Sequence, residues 1–205
     1  MDLKENDIPL IVDLDGTLIK TDLLHELIIK ILKKHPFHLF KLILYLMKGK
    51  LNFKRKIFNL EEINPEKLPY NEEVLSYMKE QHDKGRQIIL ASASYYEQVN
   101  EIGKYLGFIT KTFATNESLN LKGENKLNKI LEHYEAFQFD YIGNSKCDLA
   151  VFEKARLSVI VTGSKRLIKK TYKKSAETKV INRNKTALTT LLKSMRVYQW
   201  SKNFL

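Results

Sequence analysis

The 205-residue sequence contains a single cysteine, Cys147, and no long uncharged apolar run. One cysteine excludes a fold held together by internal disulfides and favours a reducing compartment. The most apolar stretch, FHLFKLILYLM at 37–47, is interrupted by Lys41. It is also shorter than the roughly 18 apolar residues that a membrane-spanning helix needs. The opening residues MDLKENDIP are polar and acidic, unlike a secretory signal. We therefore expect a cytoplasmic chain, either soluble or peripheral to a membrane.

Acidic residues are missing from 27–60, a segment that carries nine Lys or Arg. Residues 165–205 carry twelve basic residues and one acidic residue, Glu177, whereas the remaining residues together have a net charge of −9. This asymmetry indicates an anionic partner for two particular segments. No nucleic-acid recognition motif accompanies the charge, so a nucleic-acid partner is not expected.

The basic segment 27–60 also places Leu, Ile, Phe and Tyr at helical spacing. That composition is typical of amphipathic helices that lie at a membrane interface. We therefore expect an anionic membrane surface as a partner of this segment. The alternative, in which the apolar face packs on the core and the lysines keep the segment soluble, stays open.

Apolar runs alternate with helical patterns along much of the chain. Runs at 8–13, 87–91, 139–142 and 157–161 predict buried strands. The alternation is typical of an α/β fold with a doubly wound parallel sheet. Three helical patterns without a strand follow the first run, at about 22–36, 37–48 and 53–60. We therefore expect a helical cap at about 18–70, inserted into a core formed by about 1–17 and 71–192.

Polar residues follow the predicted strands directly: Asp13 and Asp15 the first, Ser92 the second, Asn144 the third and Thr162 the fourth. Ligands of open α/β sheets bind at the carboxyl ends of strands, so these residues should face one site. Two carboxylates as close as Asp13 and Asp15 repel each other unless a cation or a shared proton relieves them. Oxygen ligands suit Mg²⁺, and we therefore expect a magnesium site here.

The residue after this acidic pair is Gly16, which permits a tight turn and a close approach of the backbone to a bound group. An Asp-Gly turn that caps the next helix is the alternative explanation of this pattern.

Four stretches resemble, in order, the motifs of the haloacid dehalogenase-like (HAD) hydrolases, a superfamily made up mostly of Mg²⁺-dependent phosphatases. DLDGTL at 13–18 resembles the first motif, and IILAS at 88–92 resembles the second. LKGENK at 121–126 resembles the third, with Lys126 as its basic residue, and YIGNSKCDL at 141–149 resembles the fourth. The resemblance covers about residues 8–163 and implies a Rossmann-like core.

The resemblance also implies catalytic roles. Asp13 would be the nucleophile that forms an aspartyl-phosphate, and Asp15 would act first as general acid and then as general base. Ser92 and Lys126 would bind the phosphoryl oxygens and stabilise the transition state. Ser94 could replace Ser92 in this role.

Further residues of the same motifs would complete the site. Lys126 lies near Lys122 and Lys129, and any of the three could instead be a solvated surface lysine, whereas Asp148 could cap a helix instead of serving the site. The remaining phosphate-binding residues would be Gly16 and Thr17. The residues implied to hold Mg²⁺ are Asp13, Asp15 through its backbone carbonyl, Asn144 and Asp148.

Asn144 departs from the motif, which usually has an aspartate at this position. An amide oxygen can coordinate Mg²⁺ but brings no negative charge. The substitution therefore predicts weak Mg²⁺ binding and leaves a slow or non-catalytic domain open.

The segment MRVYQWSKN at 195–203 resembles the opening of UbiA-type polyprenyl transferases, where Arg-x-x-Gln-Trp-x-Lys-Asn precedes the first membrane helix. The resemblance implies that 1–192 is a HAD-like hydrolase domain. It further implies that 193–205 begins a fused prenyltransferase, as in phosphoribosyl transferases acting on decaprenyl phosphate, so that the full-length protein would be integral to the membrane. An ordinary basic amphipathic helix is the alternative for this segment.

The implied function is a Mg²⁺-dependent phosphomonoester hydrolase. Its expected substrate is a phosphorylated sugar on a polyprenyl phosphate, or a related phosphorylated metabolite. One alternative is a catalytically weak domain that binds or regulates the prenyltransferase. Another is a phosphotransferase that passes the phosphoryl group to an acceptor other than water.

Overall fold

The structure, a computed structural model, describes residues 5–47 and 49–181. Its strands form one parallel sheet in the order β3-β2-β1-β4-β5-β6. The strands are β1 (Leu10–Val12), β2 (Ile88–Tyr95), β3 (Lys111–Thr115), β4 (Asp140–Gly143), β5 (Leu157–Val161) and β6 (Glu177–Ile181). The predicted doubly wound parallel α/β fold is confirmed. The predicted core residues 182–192 and the predicted prenyltransferase segment 193–205 lie outside the described residues.

Helices connect the strands, and three of them follow β1 in succession. The helices are α1 (Leu23–Lys34), α2 (His38–Met47), α3 (Lys50–Leu60), α4 (Glu72–Asp83), α5 (Tyr96–Leu106), α6 (Glu124–Leu131), α7 (Leu149–Lys154) and α8 (Lys165–Lys174). The first three lie where the sequence predicts a helical cap. Among the described residues, no helix combines the length and the apolarity needed to cross a membrane.

The central strand β1 is buried on both faces. Leu10 and Val12 belong to one apolar cluster, which α1, α3, α4 and α5 cover. Ile11 points the other way, into a second cluster that α6, α7 and α8 cover. Because successive side chains of a strand alternate between faces, a strand with helices on both sides must be apolar throughout. The uninterrupted run Leu10-Ile11-Val12 meets that requirement.

The pairing register aligns the carboxyl ends of three strands. Val12 of β1 lies level with Leu90 of β2 on one side and with Ile142 of β4 on the other. The strand order reverses at β1, and such a switch point is where ligands of open α/β sheets bind. The residues just beyond these three positions therefore meet at one edge of the sheet.

Two arginines that pair with the buried carboxylate of Asp140 stabilise the opposite edge of the sheet. Arg86 donates to the carboxylate of Asp140 at 2.7 Å and to the carbonyl of Ile8 at 2.8 Å. Arg156 donates to both carboxylate oxygens of Asp140, at 2.9 and 2.7 Å. These bonds tie the start of β4 to the residues that precede β1 and β2, and so hold the three strands in register.

Candidate active site

The chain turns back on itself directly after β1 and encloses Asp13. Gly16 has a φ of +74°, in the left-handed region that favours glycine. The turn returns Thr17 to Asp13, and the Thr17 hydroxyl donates to Asp13 Oδ2 at 3.0 Å. Asp13 is consequently only 6% exposed. Thr17, predicted to bind phosphate, contacts the proposed nucleophile in this structure.

Lys126 reaches Asp13 from α6, on the far side of the sheet edge. Its ammonium donates to Asp13 Oδ1 at 2.7 Å and to Asp148 Oδ1 at 3.3 Å. It also donates to the hydroxyl of Tyr141 at 3.0 Å. With three partners for its three protons, Lys126 is held in one position between two carboxylates.

The two neighbouring lysines, Lys122 and Lys129, lie away from the site. Lys122 is exposed, and Lys129 forms a surface ion pair with Glu132. The structure thus brings Lys126, the motif lysine, to Asp13.

Asp148 is held by donors on both of its oxygens. Oδ1 accepts from Lys126 and, at 2.7 Å, from the hydroxyl of Tyr141. Oδ2 accepts from the backbone amide and the hydroxyl of Ser145 at 2.9 and 2.7 Å, and from the backbone amide of Asn144 at 3.3 Å. These contacts make Asp148 the anchor of Lys126. Its assignment as a metal ligand stays a prediction.

Gly143 allows Tyr141 and Asp148 to approach each other. A Cβ atom at this position would lie 2.7 Å from Tyr141 Cε1 and 3.0 Å from Asp148 Cγ. Both distances are shorter than ordinary van der Waals contact. The glycine at the end of β4 is therefore required by the packing around Lys126.

Asp15 lies beside Asp13 and points toward the end of β2. Its Oδ1 accepts from the Leu23 amide at the start of α1, at 2.8 Å. Its Oδ2 accepts from both serine hydroxyls, Ser92 at 3.1 Å and Ser94 at 2.7 Å. Both serines thus orient Asp15, and the choice between them as the phosphate-binding residue stays open.

Burial changes the pKa values of Asp13 and Asp15. It raises the pKa of Asp13 to about 7, with Lys126 opposing the shift and Asp148 adding to it. It also raises the pKa of Asp15, and the nearby charge of Asp22 adds to this effect. The hydrogen bonds from Leu23 and the serines oppose it. A raised pKa suits Asp15 for a role that requires it to carry a proton.

The pKa values of Lys126 and Asp148 shift in the directions that favour the charged form of each group. Burial disfavours the charge of Lys126, but the carboxylates of Asp13 and Asp148 outweigh it and raise the lysine pKa. Burial likewise disfavours the charge of Asp148, but Lys126, Ser145 and Tyr141 outweigh it and lower the pKa of that carboxyl. Both groups are therefore charged at neutral pH, and Lys126 carries a permanent positive charge next to Asp13.

Oxygen donors for a cation meet between β1 and β4. The side-chain amide of Asn144 lies 3.2 Å from the backbone carbonyl oxygen of Asp15. A half-turn of that amide would present its oxygen next to the carbonyl. Within the described residues, no three His, Cys, Asp or Glu side chains are placed to hold a metal together. The donors that fit a hard cation are thus one carboxylate, Asp13, with a carbonyl and an amide oxygen.

The fourth predicted strand end does not form part of this cluster. Thr162 follows β5, and its hydroxyl accepts from the Ser164 amide at 3.1 Å, at the start of α8. It serves the turn into that helix.

Two residues at the site were not predicted as site residues. Tyr141 lies in the apolar run of β4, and a buried tyrosine hydroxyl needs a partner, which is a usable signal. Lys54 of α3 donates to the carbonyl of Ala93 at 2.9 Å, between the two serines that hold Asp15. Burial lowers the pKa of Lys54, against the attraction of Asp15 and Asp22. Nothing in the sequence distinguishes Lys54 from its basic neighbours.

No family model matches the chain. The uncharacterized protein y4nM of Sinorhizobium fredii is 31% identical over 206 residues. The match covers all of this chain but 40% of that protein, so the chain spans about two fifths of the length of its curated relative.

Solved structures define the fold. A phosphoserine phosphatase, solved as a phospho-aspartyl intermediate analogue, is 20% identical, with a TM-score of 0.56 over 93% of this chain and 99% of its own. A HAD family hydrolase of Salmonella enterica serovar Typhi is 13% identical, with a TM-score of 0.59 over 86% of this chain and 69% of its own. The cobalt-bound deoxy-D-mannose-octulosonate 8-phosphate phosphatase of Haemophilus influenzae is 19% identical, with a TM-score of 0.50 over 85% and 78%. The chain therefore has the fold of the HAD phosphatases.

Proposed function

We propose that this chain is a Mg²⁺-dependent phosphomonoester hydrolase that works through an aspartyl-phosphate on Asp13. The observation that carries the proposal is the arrangement of Asp13 against Lys126, with Asp15 beside them at the switch point of the sheet. A nucleophile, a proton carrier and a fixed cation are the three groups that phosphoryl transfer to a carboxylate needs.

The chemistry assigned to these residues has two steps. In the first, a carboxylate oxygen of Asp13 attacks the phosphorus, the bond to the leaving oxygen breaks, and Asp15 gives its proton to that oxygen. In the second, Asp15 takes a proton from a water that attacks the phosphorus, which releases inorganic phosphate and restores Asp13. Lys126 remains charged throughout and stabilises the negative charge on the phosphoryl oxygens.

The residues that would hold Mg²⁺ are Asp13, Asn144 through its side-chain oxygen and Asp15 through its carbonyl. Asp148, the fourth predicted ligand, would have to exchange a hydrogen bond to Tyr141 or Ser145 for the cation. A bound divalent cation would neutralise phosphoryl charge during transfer. Burial of Asp13 disfavours its charged form, and both Lys126 and a cation would favour the carboxylate that attack requires.

Structural neighbours support this choice of reaction. Two of those described above are named as phosphatases, and one was captured as an analogue of a phospho-aspartyl intermediate. The cobalt-bound neighbour supports the involvement of a metal ion.

The substrate is proposed to carry an anionic group in addition to its phosphate. Lys54 extends from the cap helix α3 to the rim of the site and, within the described residues, makes no salt bridge. Its charge is available to an anion bound next to Asp15. A phosphorylated sugar linked to a polyprenyl phosphate fits this requirement, and the support for that substrate and for a fused prenyltransferase is the resemblance of residues 195–203.

A second candidate function is a catalytically weak domain that binds or regulates a prenyltransferase. The observation that favours it is Asn144, which brings a neutral amide to the proposed cation site where a carboxylate would bring charge. Weak cation binding would then limit turnover.

An assay of phosphate release distinguishes the two functions. The substrates are p-nitrophenyl phosphate and a panel of phosphorylated sugars. The hydrolase requires release that depends on Mg²⁺ and disappears in Asp13→Asn. Release that survives Asp13→Asn would rule out the nucleophile, and an inactive wild-type protein that still binds phosphate would favour the binding domain.

A further inference from the structure

Helix α2 presents an apolar face to solvent. Within the described residues, five of the eleven exposed large apolar side chains lie in the single segment 37–47. They are Phe37 (84% exposed), Ile43 (51%), Leu44 (58%), Leu46 (54%) and Met47 (80%). Contiguous exposed apolar surface of this kind marks a site that binds another protein or a membrane.

The rest of the cap does not have this character. Leu23, Leu27 and Ile31 of α1 are buried in the cluster on the sheet, together with Ile57 and Phe58 of α3. Leu42 of α2 joins the same cluster from the inner side of its helix. The two flanking helices therefore bury their apolar faces on the core, whereas the outer face of α2 has no cover among the described residues.

The outer face of α2 lies in a basic part of the sequence. The segment 27–60 contains nine Lys or Arg and no acidic residue. Lys41 is exposed and lies one helical turn before Leu44, and Lys33 is exposed at the end of α1. Lys30 and Lys34 are held by Glu61 at 2.8 and 2.7 Å, so they contribute less net charge.

Exposed apolar side chains together with exposed lysines indicate what kind of partner binds this face. A second copy of the chain would bring the same lysines against this face, and like charges would oppose the contact. An anionic bilayer offers apolar depth for Ile43, Leu44 and Met47 and negative headgroups for Lys33 and Lys41. We propose that the outer face of α2 docks this domain on an anionic lipid membrane.

This surface is distinct from the candidate active site and does not depend on catalysis. The membrane would be bound by the cap helix itself, whatever the residues beyond 181 contribute. Membrane binding of the domain therefore stands or falls separately from the hydrolase activity.

Co-sedimentation of the full chain with vesicles tests the proposal, using phosphatidylcholine alone and phosphatidylcholine mixed with phosphatidylglycerol. Binding should require the anionic lipid and should weaken as salt is added. The combined replacement of Ile43→Ser, Leu44→Ser and Met47→Ser should lower the partition coefficient at least tenfold. Because these side chains are exposed, the melting temperature should stay close to the wild-type value.

Matched variants on other helices test whether α2 is the element that binds the membrane. Lys33→Glu with Lys41→Glu should weaken binding, whereas Lys169→Glu with Lys170→Glu on α8 should weaken it much less. Tyr105→Ser with Tyr172→Ser, at exposed positions of other helices, should leave apolar insertion unchanged.

Three results would overturn the proposal. One is equal binding to neutral and anionic vesicles, or binding to neither. Another is wild-type binding by the triple serine variant. The third is self-association of the wild-type chain in sedimentation equilibrium that the serine variant loses, without any lipid binding, which would assign the face to a second copy.

Discussion

The Lys126 ammonium lies 2.7 Å from a carboxylate oxygen of Asp13, although the two residues are 113 positions apart in the sequence. Asp13 directly follows the first strand, and Lys126 projects from a helix that follows the third. Burial holds both groups away from water and makes each dependent on the other. The contact connects the stability of the fold with the proposed chemistry.

Lys126→Met should destabilise the protein by about 3 kcal/mol at pH 8, because it leaves the Asp13 and Asp148 carboxyls buried without their cation. Loss of the lysine should raise the pKa of Asp13 further above its wild-type value of about 7. The folded variant then keeps a proton that the unfolded chain releases, so its stability should fall relative to wild type as pH rises above 7. Denaturant unfolding between pH 6 and pH 9 measures this difference.

Lys129→Met is the matched control for that experiment, because Lys129 lies one helical turn away on the surface and pairs with Glu132. It should cost well under 1 kcal/mol. Adding Asp13→Asn to Lys126→Met should remove the extra pH dependence. If the double variant keeps it, Asp13 is not the group that titrates.

Gly143→Ala should destabilise the protein by about 1 to 3 kcal/mol, because the new methyl group would overlap Tyr141 and Asp148. Displacement of either residue moves Lys126, which is proposed to contact the phosphoryl group, so kcat/KM should fall. Gly103→Ala on α5 is the control, since the nearest atom to its Cβ would be Thr112 Oγ1 at 3.5 Å. Equal effects of the two substitutions on activity would show that the close packing at Gly143 has no functional consequence.

Asn144→Asp should tighten Mg²⁺ binding, because it places a charged oxygen where an amide now faces the Asp15 carbonyl. Without a cation, the new carboxylate would repel that carbonyl oxygen and lower the melting temperature. A larger rise in melting temperature on addition of Mg²⁺ is therefore expected. Asn128→Asp adds the same charge at an exposed position of α6 and should leave the response to Mg²⁺ at the wild-type level. A response in Asn144→Asp no larger than in this control would place Asn144 outside the cation site.

Lys54→Met should raise KM about tenfold for a substrate that carries a second anionic group, which corresponds to the loss of about 1.4 kcal/mol of binding. The effect should be small for p-nitrophenyl phosphate, which has no second anion. Lys56→Met, at an exposed position of the same helix, controls for the general loss of charge. A uniform change in KM for both substrates would argue against a specific contact with Lys54.

The sequence predicts the centre of this fold better than its edges. β1, β2, β4 and β5 are apolar runs because helices cover both faces of the inner sheet. The edge strands β3 and β6 were not predicted, since KTFAT mixes exposed and buried residues and ETKVI contains exposed and half-buried residues alone. α8 was missed for a similar reason: Leu167 and Thr171 are its buried residues in a helix otherwise rich in lysine.

The candidate site shows the same division. Asp13, Asp15, Ser92, Lys126 and Asn144 follow strands or belong to motifs, and the parallel topology brings such positions together. The role of Asp148 as the partner of Lys126 could not be predicted, because it depends on the packing allowed by Gly143. The position of Lys54 depends on how the cap folds over the sheet, which the sequence pattern does not specify. Mg²⁺, the substrate and a cytoplasmic location remain predictions.

Chemical trapping of the intermediate tests the central assignment most directly. The protein is incubated with p-nitrophenyl phosphate and Mg²⁺, quenched in acid and treated with borohydride, which reduces an acyl phosphate to an alcohol and so converts the aspartate to homoserine. Peptide mass spectrometry should find homoserine at position 13 in samples that contained both substrate and Mg²⁺, and none in Asp13→Asn. Release of phosphate without homoserine at position 13, or with homoserine at another aspartate, would contradict the account.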